Sequence, residues 1–230
     1  MNEQQKSKLR IPTIKPRSLP RLIKLGDLEP PGREVVVGQI DSFDPNPTPN
    51  QLAFIGDDTT IKFYEKKNPY YEFSNYSEYS VTIEGKSYKT TEHYYQAKKF
   101  LYEGANCSNY EYAELIRSQK TPNMARILGT QETKQNFAWV KPLRIKIDEY
   151  NGKVIPDPDW DLHKVDVMRV ALKHKFEQHP RLARILNETG DKEIIEDSPR
   201  DYFWGIGRLG NGQNWLGKLL MELRNKRKEG

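Results

Sequence analysis

One cysteine in 230 residues, Cys107, has no partner for an intramolecular disulfide. That points to a reducing setting, cytoplasmic or nuclear, and removes disulfide scaffolds from consideration. Cys107 lies in Gly104-Ala105-Asn106-Cys107-Ser108-Asn109, a polar loop composition with no basic neighbour to activate a thiolate, and an inert thiol is expected. No apolar run approaches the roughly 20 residues of a membrane span, and no signal-peptide core is present, so no membrane partner is expected. Histidine is sparse, and His163, His174 and His179 lack the Cys or carboxylate spacing of a zinc or iron site, so neither metal nor cofactor is expected. A Gly-Lys-Ser/Thr phosphate loop is also missing, and the Gly-rich stretch near the C-terminus does not follow a core strand as a dinucleotide fingerprint would.

What is present is charge and aromatic surface. Lys and Arg number 37 against 32 Asp and Glu, for a net charge of +5, a balance that favours anionic partners. Only 36% of the chain is hydrophobic, yet 11% is aromatic, including 13 Tyr. Much of that aromatic content sits beside charged and amide residues, a mixture suited to a ligand cleft or a core edge. From Met1 to about Pro49 the chain is Pro-rich and basic, with Lys6, Lys8, Arg10, Lys15, Arg17, Arg21 and Lys24 all ahead of Asp27. This favours a mobile tail over a packed unit, either a solvated extension or an arm for nucleic acid or a nuclear address. The expected division is an extension over 1–58 and one domain over 59–230.

Within the domain, Ile61 and Phe63 alternate with Lys62 and Tyr64 as a strand start. Ser80 to Ile83 and Lys86 to Lys89 flank Glu84-Gly85 and predict a short hairpin. The hairpin leads into Thr90 to Phe100, which predicts a helix capped by Thr90. Helices are also expected over Asn109–Gln119 and from Thr121-Pro122 to a closing Gly129. Lys134 to Pro158 reads as irregular around a strand at Leu143 to Ile147. Leu162 to Glu177 returns to helical period, with Val165, Met168, Leu172 and Phe176 inward and Lys164, Arg169, Lys173 and Lys175 outward. A helix over Pro180–Glu188 and another over Lys218–Arg227 follow.

Two stretches carry chemistry. In the first helix, Glu92, Gln96 and Lys99 (i, i+4, i+7) share one arc, which on pattern alone is also what a solvated Glu/Lys face would show. His93, on another face, reads as a structural hydrogen-bonder. In the second stretch, Gly205, Gly207, Gly210, Gly212 and Gly217 precede a helix, allowing close backbone approach to a ligand and suggesting an anion site at the helix N-terminus. Asp201, Trp204 and Asn214 add the carboxylate, ring and amide that a ribose or base would need.

Phe63-Tyr64, Phe73-Ser74-Asn75-Tyr76, Glu92 to Phe100, Lys175-Phe176-Glu177-Gln178-His179, Tyr202-Phe203-Trp204-Gly205 and Asn214 to Arg224 together resemble the NADAR (YbiA-like) family. The likeness runs in the family's order from about Ile61 to Asn225, with Lys141 to Asp157 as an insertion relative to compact members. It implies a mainly helical α+β fold with short strands and a hairpin. It also implies an N-glycosidase, acting either on ADP-ribose attached to guanine or on phosphoribosylated riboflavin-biosynthesis intermediates. A domain that binds ADP-ribose or a nucleotide without cleaving is the third reading.

Cleaving such a bond requires protonation of the departing amine and stabilisation of a ribosyl cation. The resemblance and this chemistry give Glu92 as acid or base, Lys99 as a Schiff-base nucleophile or an orienting cation, and Asp201 as a second carboxylate. Phe73, Tyr95 and Trp204 are expected to stack on substrate. Asn75, Gln96, Glu196 and Asn214 are expected to make polar contacts, and Gly205 and Gly207 to bring backbone close. The expected partner is ADP-ribosylated guanine, free or in DNA or RNA; the basic arm and the lack of a fused riboflavin-pathway enzyme in this sequence favour it.

Overall fold

Residues 59–132 and 137–228 are described by a computed structural model of the chain; the basic arm, and its expected mobility, lie outside them. Buried Ile61 and Phe63 turn one face of β1 (Thr60–Phe63) into the core. The expected hairpin forms from β2 (Val81–Ile83) and β3 (Lys86–Tyr88), paired antiparallel. Glu84 and Gly85, at φ 52 and 75, supply the two left-handed residues of a two-residue turn whose twist matches the strands.

Helix α1 (Thr91–Lys98) comes next, with the Thr90 hydroxyl accepting the His93 amide as its N-cap. Then follow α2 (Cys107–Arg117), α3 (Pro122–Thr130), α4 (Lys141–Tyr150), α5 (Trp160–Gln178) and α6 (Pro180–Glu188). The chain closes with β4 (Glu193–Glu196) and α7 (Trp215–Lys228). This is the expected mainly helical α+β fold. Helix α1 packs against α2, α3 and α5, and every residue from Thr91 to Ala97 is buried. Its polar arc therefore faces the interior rather than solvent.

Several local expectations change. Strand β4 was not expected; it pairs parallel to β1, Ile61 beside Ile194 and Phe63 beside Glu196. Four residues are too few for a periodic signal. The segment expected as a strand at Leu143 to Ile147 is α4, with Pro142 in its first turn. Leu143 and Ile147 are buried while Ile145 is 59% exposed, a helical period and not an alternating one. Cys107 begins α2, capped by Asn106, and is exposed rather than set in a loop. Gly129 lies inside α3, which ends instead on left-handed Gln131; a Cβ on Gly129 would run into the Gln96 side chain. Helix α7 starts earlier than expected and takes in Gly217, where a Cβ would strike the Ile194 carbonyl.

Lys175 is the largest correction. Placed by its sequence on the outer face of α5, it is fully buried. Its Nζ donates to the Glu72 carbonyl at 2.6 Å, the Ser74 carbonyl at 2.9 Å and Ser77 Oγ at 2.7 Å. Burial pushes the amine down to about 7, with Glu72 acting in the opposite sense. Three acceptors match the three N–H bonds of an ammonium, whereas a neutral amine would leave one oxygen facing a lone pair. Replacing Lys175 by Met keeps most of the stem's packing and strands these acceptors, which is expected to cost about 3 kcal/mol. By thermal denaturation the variant should melt roughly 10 °C lower; an unchanged midpoint would show that the clamp is not needed for stability.

Candidate active site

The site is built from α1 outward. Asn75, buried, accepts the Thr91 hydroxyl through Oδ1 at 3.1 Å and the Glu92 amide through its backbone carbonyl at 3.2 Å, fixing the first turn. Four residues on, Gln96 Nε2 donates to Glu92 Oε1 at 2.8 Å. Lys99 Nζ then donates to Gln96 Oε1 at 3.2 Å and to the Gly129 carbonyl at 3.0 Å. A carboxylate and an amine are thus joined through one amide whose position the missing side chain at Gly129 permits. His93, on the other face, sits between the Thr90 hydroxyl at 2.9 Å and the Gln119 carbonyl at 3.2 Å. Burial holds it neutral, near 4.

Electrostatics separate these groups from surface ones. Glu92 is pushed up to about 7, first by burial and also by Asp201, against the pull of Gln96, Lys99 and Arg126. Burial brings Lys99 down to about 8 despite Glu92 and Asp161. Glu196, at the end of β4, rises to about 8 through burial, with Asp201 and Glu92 adding to it. Burial together with Glu92 and Glu196 pushes the Tyr76 phenol well above the usual tyrosine range. Three carboxyls, a phenol, an amine and a guanidinium therefore share one electrostatic neighbourhood.

Aromatic rings form the walls. Tyr95 packs edge-on to Trp204 at 5.5 Å and at a tilt against Trp160 at 5.0 Å, and Lys99 Nζ lies 5.6 Å from the Trp160 ring centre. Asp201 sets this wall from below: its Oδ1 accepts both the Phe203 and Trp204 amides, at 2.8 and 2.7 Å. Trp160, Tyr76 and Arg126 are additions that sequence reasoning missed. Tyr76 stood inside a quoted motif; Arg126 and Trp160 carry no local signal, because each arrives on a helix packed against α1 only in three dimensions.

Other expected residues sit elsewhere or serve the scaffold. Phe73 is a fully buried core ring packed on Phe63, Tyr70 and Phe176, with no face left to stack on a ligand. Asn214, left-handed at φ 53, spends its amide on β4, donating to the Ile194 carbonyl and accepting the Glu196 amide. Gly205 lies under the Glu196 carbonyl and Gly207 under the Tyr202 ring. At the start of α7, where an anion cradle is expected, the Trp215 and Leu216 amides instead donate to the Phe203 and Trp204 carbonyls. A separate cleft of about 400 Å³ lies between the hairpin and the chain after α1, lined by Tyr88, Leu101, Tyr102 and Tyr110 among others, and contains none of the expected residues. Among the described residues, no three His, Cys, Asp or Glu are grouped to hold a metal ion, and no helix is long and apolar enough to cross a membrane.

Comparison with known proteins shows the family of the chain. N-glycosidase YbiA of Escherichia coli (strain K12) is 36% identical over 176 residues, 76% of this chain and 93% of that protein. An N-glycosidase of Nostoc punctiforme is 37% identical over 167 residues, 73% of this chain and 92% of that one. The maize chloroplastic riboflavin biosynthesis protein PYRR is 33% identical over 195 residues, 83% of this chain but 28% of its own length. The NMR structure of Escherichia coli YbiA superposes with a TM-score of 0.58 at 34% identity, covering 76% of this chain and 88% of that structure. The NADAR domain model matches residues 62–227, a span that contains α1, β4 and the loop between β4 and α7. On these matches, and with the site residues falling inside that span, the chain belongs to the NADAR family.

Proposed function

We propose that the protein hydrolyses an N-glycosidic bond between a ribose C1 and an exocyclic nitrogen, and that its substrate is ADP-ribose linked to guanine, free or within a polynucleotide. The observation that carries the reaction is the Glu92–Gln96–Lys99 chain, a buried carboxyl and a partly buried amine joined by one amide on a rigid helix. The names of the Escherichia coli and Nostoc relatives, each matched over more than nine-tenths of its length, support N-glycosidase chemistry. Glu92, as carboxylate, stabilises positive charge developing at C1. Lys99, with its amine brought toward neutrality by burial, bonds to C1 as the glycosidic bond breaks, and the ribose ring then opens to an imine that water hydrolyses. Asp201 holds Trp204 and adds negative potential.

Two features support the guanine-linked substrate. Trp160 and Trp204, partly exposed on either side of buried Tyr95, offer ring surface for a purine. The basic residues before Asp27, outside the described residues, suit a phosphate backbone. The maize relative's name supports a second reading, cleavage of a phosphoribosylated riboflavin-biosynthesis intermediate. Release of ADP-ribose from an ADP-ribosylated guanosine oligonucleotide, followed by mass spectrometry beside the same assay on the riboflavin intermediate, separates them. Tight binding without release in both would leave a binding module.

Lys99→Ala and Glu92→Gln are each expected to lower kcat by roughly 100-fold or more, with thermal midpoints near that of the parent; retained turnover in Lys99→Ala would remove its covalent role. Deleting Met1 to Pro49 should raise KM for the oligonucleotide, leave KM for the mononucleotide unchanged, and flatten the salt dependence of oligonucleotide binding. Identical salt slopes before and after deletion would retire the arm as a substrate contact.

A further inference from the structure

Glu196 combines a fixed backbone with an unsatisfied head group. Its amide donates to Asn214 Oδ1 at 3.0 Å and its carbonyl accepts the Ile206 amide at 3.0 Å. Gly205 approaches so closely that a Cβ there would come within 2.7 Å of that carbonyl. The next amide, Asp197, is held by the Phe63 carbonyl at 3.0 Å. The carboxyl cannot be carried away by movement of the strand. Its Oε2 is nevertheless shut off from solvent without a hydrogen-bond partner. A buried polar oxygen left unpaired is destabilising, and such groups collect where a ligand supplies the missing partner.

Its neighbours decide which partner. Glu92 from α1 and Asp201 from the loop after β4 both disfavour a charge on Glu196, which stands near 8. The Tyr76 phenol, before the hairpin, faces the same carboxyls. The cations Lys99, on α1, and Arg126, on α3, act on Glu92. The two glutamates differ in their partners. Glu92 accepts the Gln96 amide and has cations that favour its carboxylate, whereas burial and two carboxyls favour the protonated form of Glu196, a donor lacking an acceptor.

We propose that Glu196 is the general acid of the reaction, its free Oε2 donating a proton to the exocyclic nitrogen as the glycosidic bond breaks. This rests on the N-glycosidase reading above. The C1–N bond breaks with its electron pair passing to nitrogen, which takes the Glu196 proton and departs as a neutral amine. The C1 cation faces the Glu92 carboxylate and is closed by the nucleophile. Water that completes hydrolysis delivers its oxygen to C1 and returns a proton to Glu196. Glu196 is thereby a catalytic residue rather than a substrate anchor.

The test uses the full chain and two substrates. Glu196→Gln should lose about 100-fold or more in kcat on the guanine-linked substrate. On the 4-nitrophenyl glycoside of ADP-ribose, whose leaving group departs without a proton, it should remain within about threefold of the parent, as expected for loss of an acid alone. An equal loss on both substrates would make Glu196 a structural or binding residue, and no loss on either would remove it from the reaction. The parent's kcat on the guanine substrate should fall as pH rises past about 8, where the acid is lost; the nitrophenyl reaction should not follow. Independently of turnover, carbon-13 NMR of the Glu carboxyls, assigned by difference with Glu196→Gln, should show a midpoint well above the ordinary range. A midpoint near the ordinary glutamate value overturns the proposal. Parent protein inactive on both the guanine and riboflavin N-glycosides removes the N-glycosidase reading, and this role with it, even where the carboxyl titrates high.

Discussion

An ammonium group with no exposed surface ties helix α5 to the loop before the hairpin. Lys175 projects from α5 into the loop before the hairpin and satisfies oxygens of Glu72, Ser74 and Ser77. Between two of those residues sits Asn75, whose carbonyl and amide hold the first turn of α1. The position of Glu92 therefore descends from a charge on a different helix through one loop. Irregular backbone seldom survives burial, because its carbonyls need partners that secondary structure would otherwise supply. Here one lysine head group provides three donors at once, so a Ser-rich loop can pass through the core and end beside the site.

The same scarcity of partners shapes the site. Glu92 and Asp201 each disfavour a charge on Glu196; Glu92 is offset by Gln96, Lys99 and Arg126 and Asp201 accepts two backbone amides, while Glu196 Oε2 has no partner. Folding must therefore hold together groups that would separate if the chain allowed it. That is done with backbone: β4 pinned to β1, Asn214 bridging β4, and Gly205 and Gly217 letting loop and helix lie against the strand. Much of the Gly-rich segment is accounted for by this packing rather than by phosphate binding. Gly205, Gly212 and Gly217 remove side chains where main chains touch, and the Trp215 and Leu216 amides are already used.

How much of this could be read from the sequence depended on range. Helix α1, its Thr90 cap and the Glu92, Gln96, Lys99 arc are local, set by spacing within three turns, and the hairpin's turn pair is equally local. The approach of Glu196 is not, since it needs a parallel strand pair between opposite ends of the domain. Lys175 was read as outward because a helical wheel sorts residues by polarity and cannot see backbone acceptors about a hundred positions away. Helix α4 was hidden by Pro142, Gly152 and Pro158, which punctuate its flanks as they would a loop. Phe73 was read as a ligand ring because its motif mixes aromatic and amide residues. The structure divides them, ring into the core and amide toward α1.

Helix α1 is closed in along nearly its whole length, and that carries a kinetic meaning. Amide hydrogens from Tyr94 to Ala97 lie on buried helix, and their exchange with water is expected to be slow. Glu92 and Gln96 are thus carried on a helix shielded over nearly its whole length, while Glu196 and Asp201 reach the same neighbourhood from β4 and the loop after it. The Asp197–Asn214 segment is the opposite case, its exposed Tyr202 and Leu209 marking the wet edge of the wall.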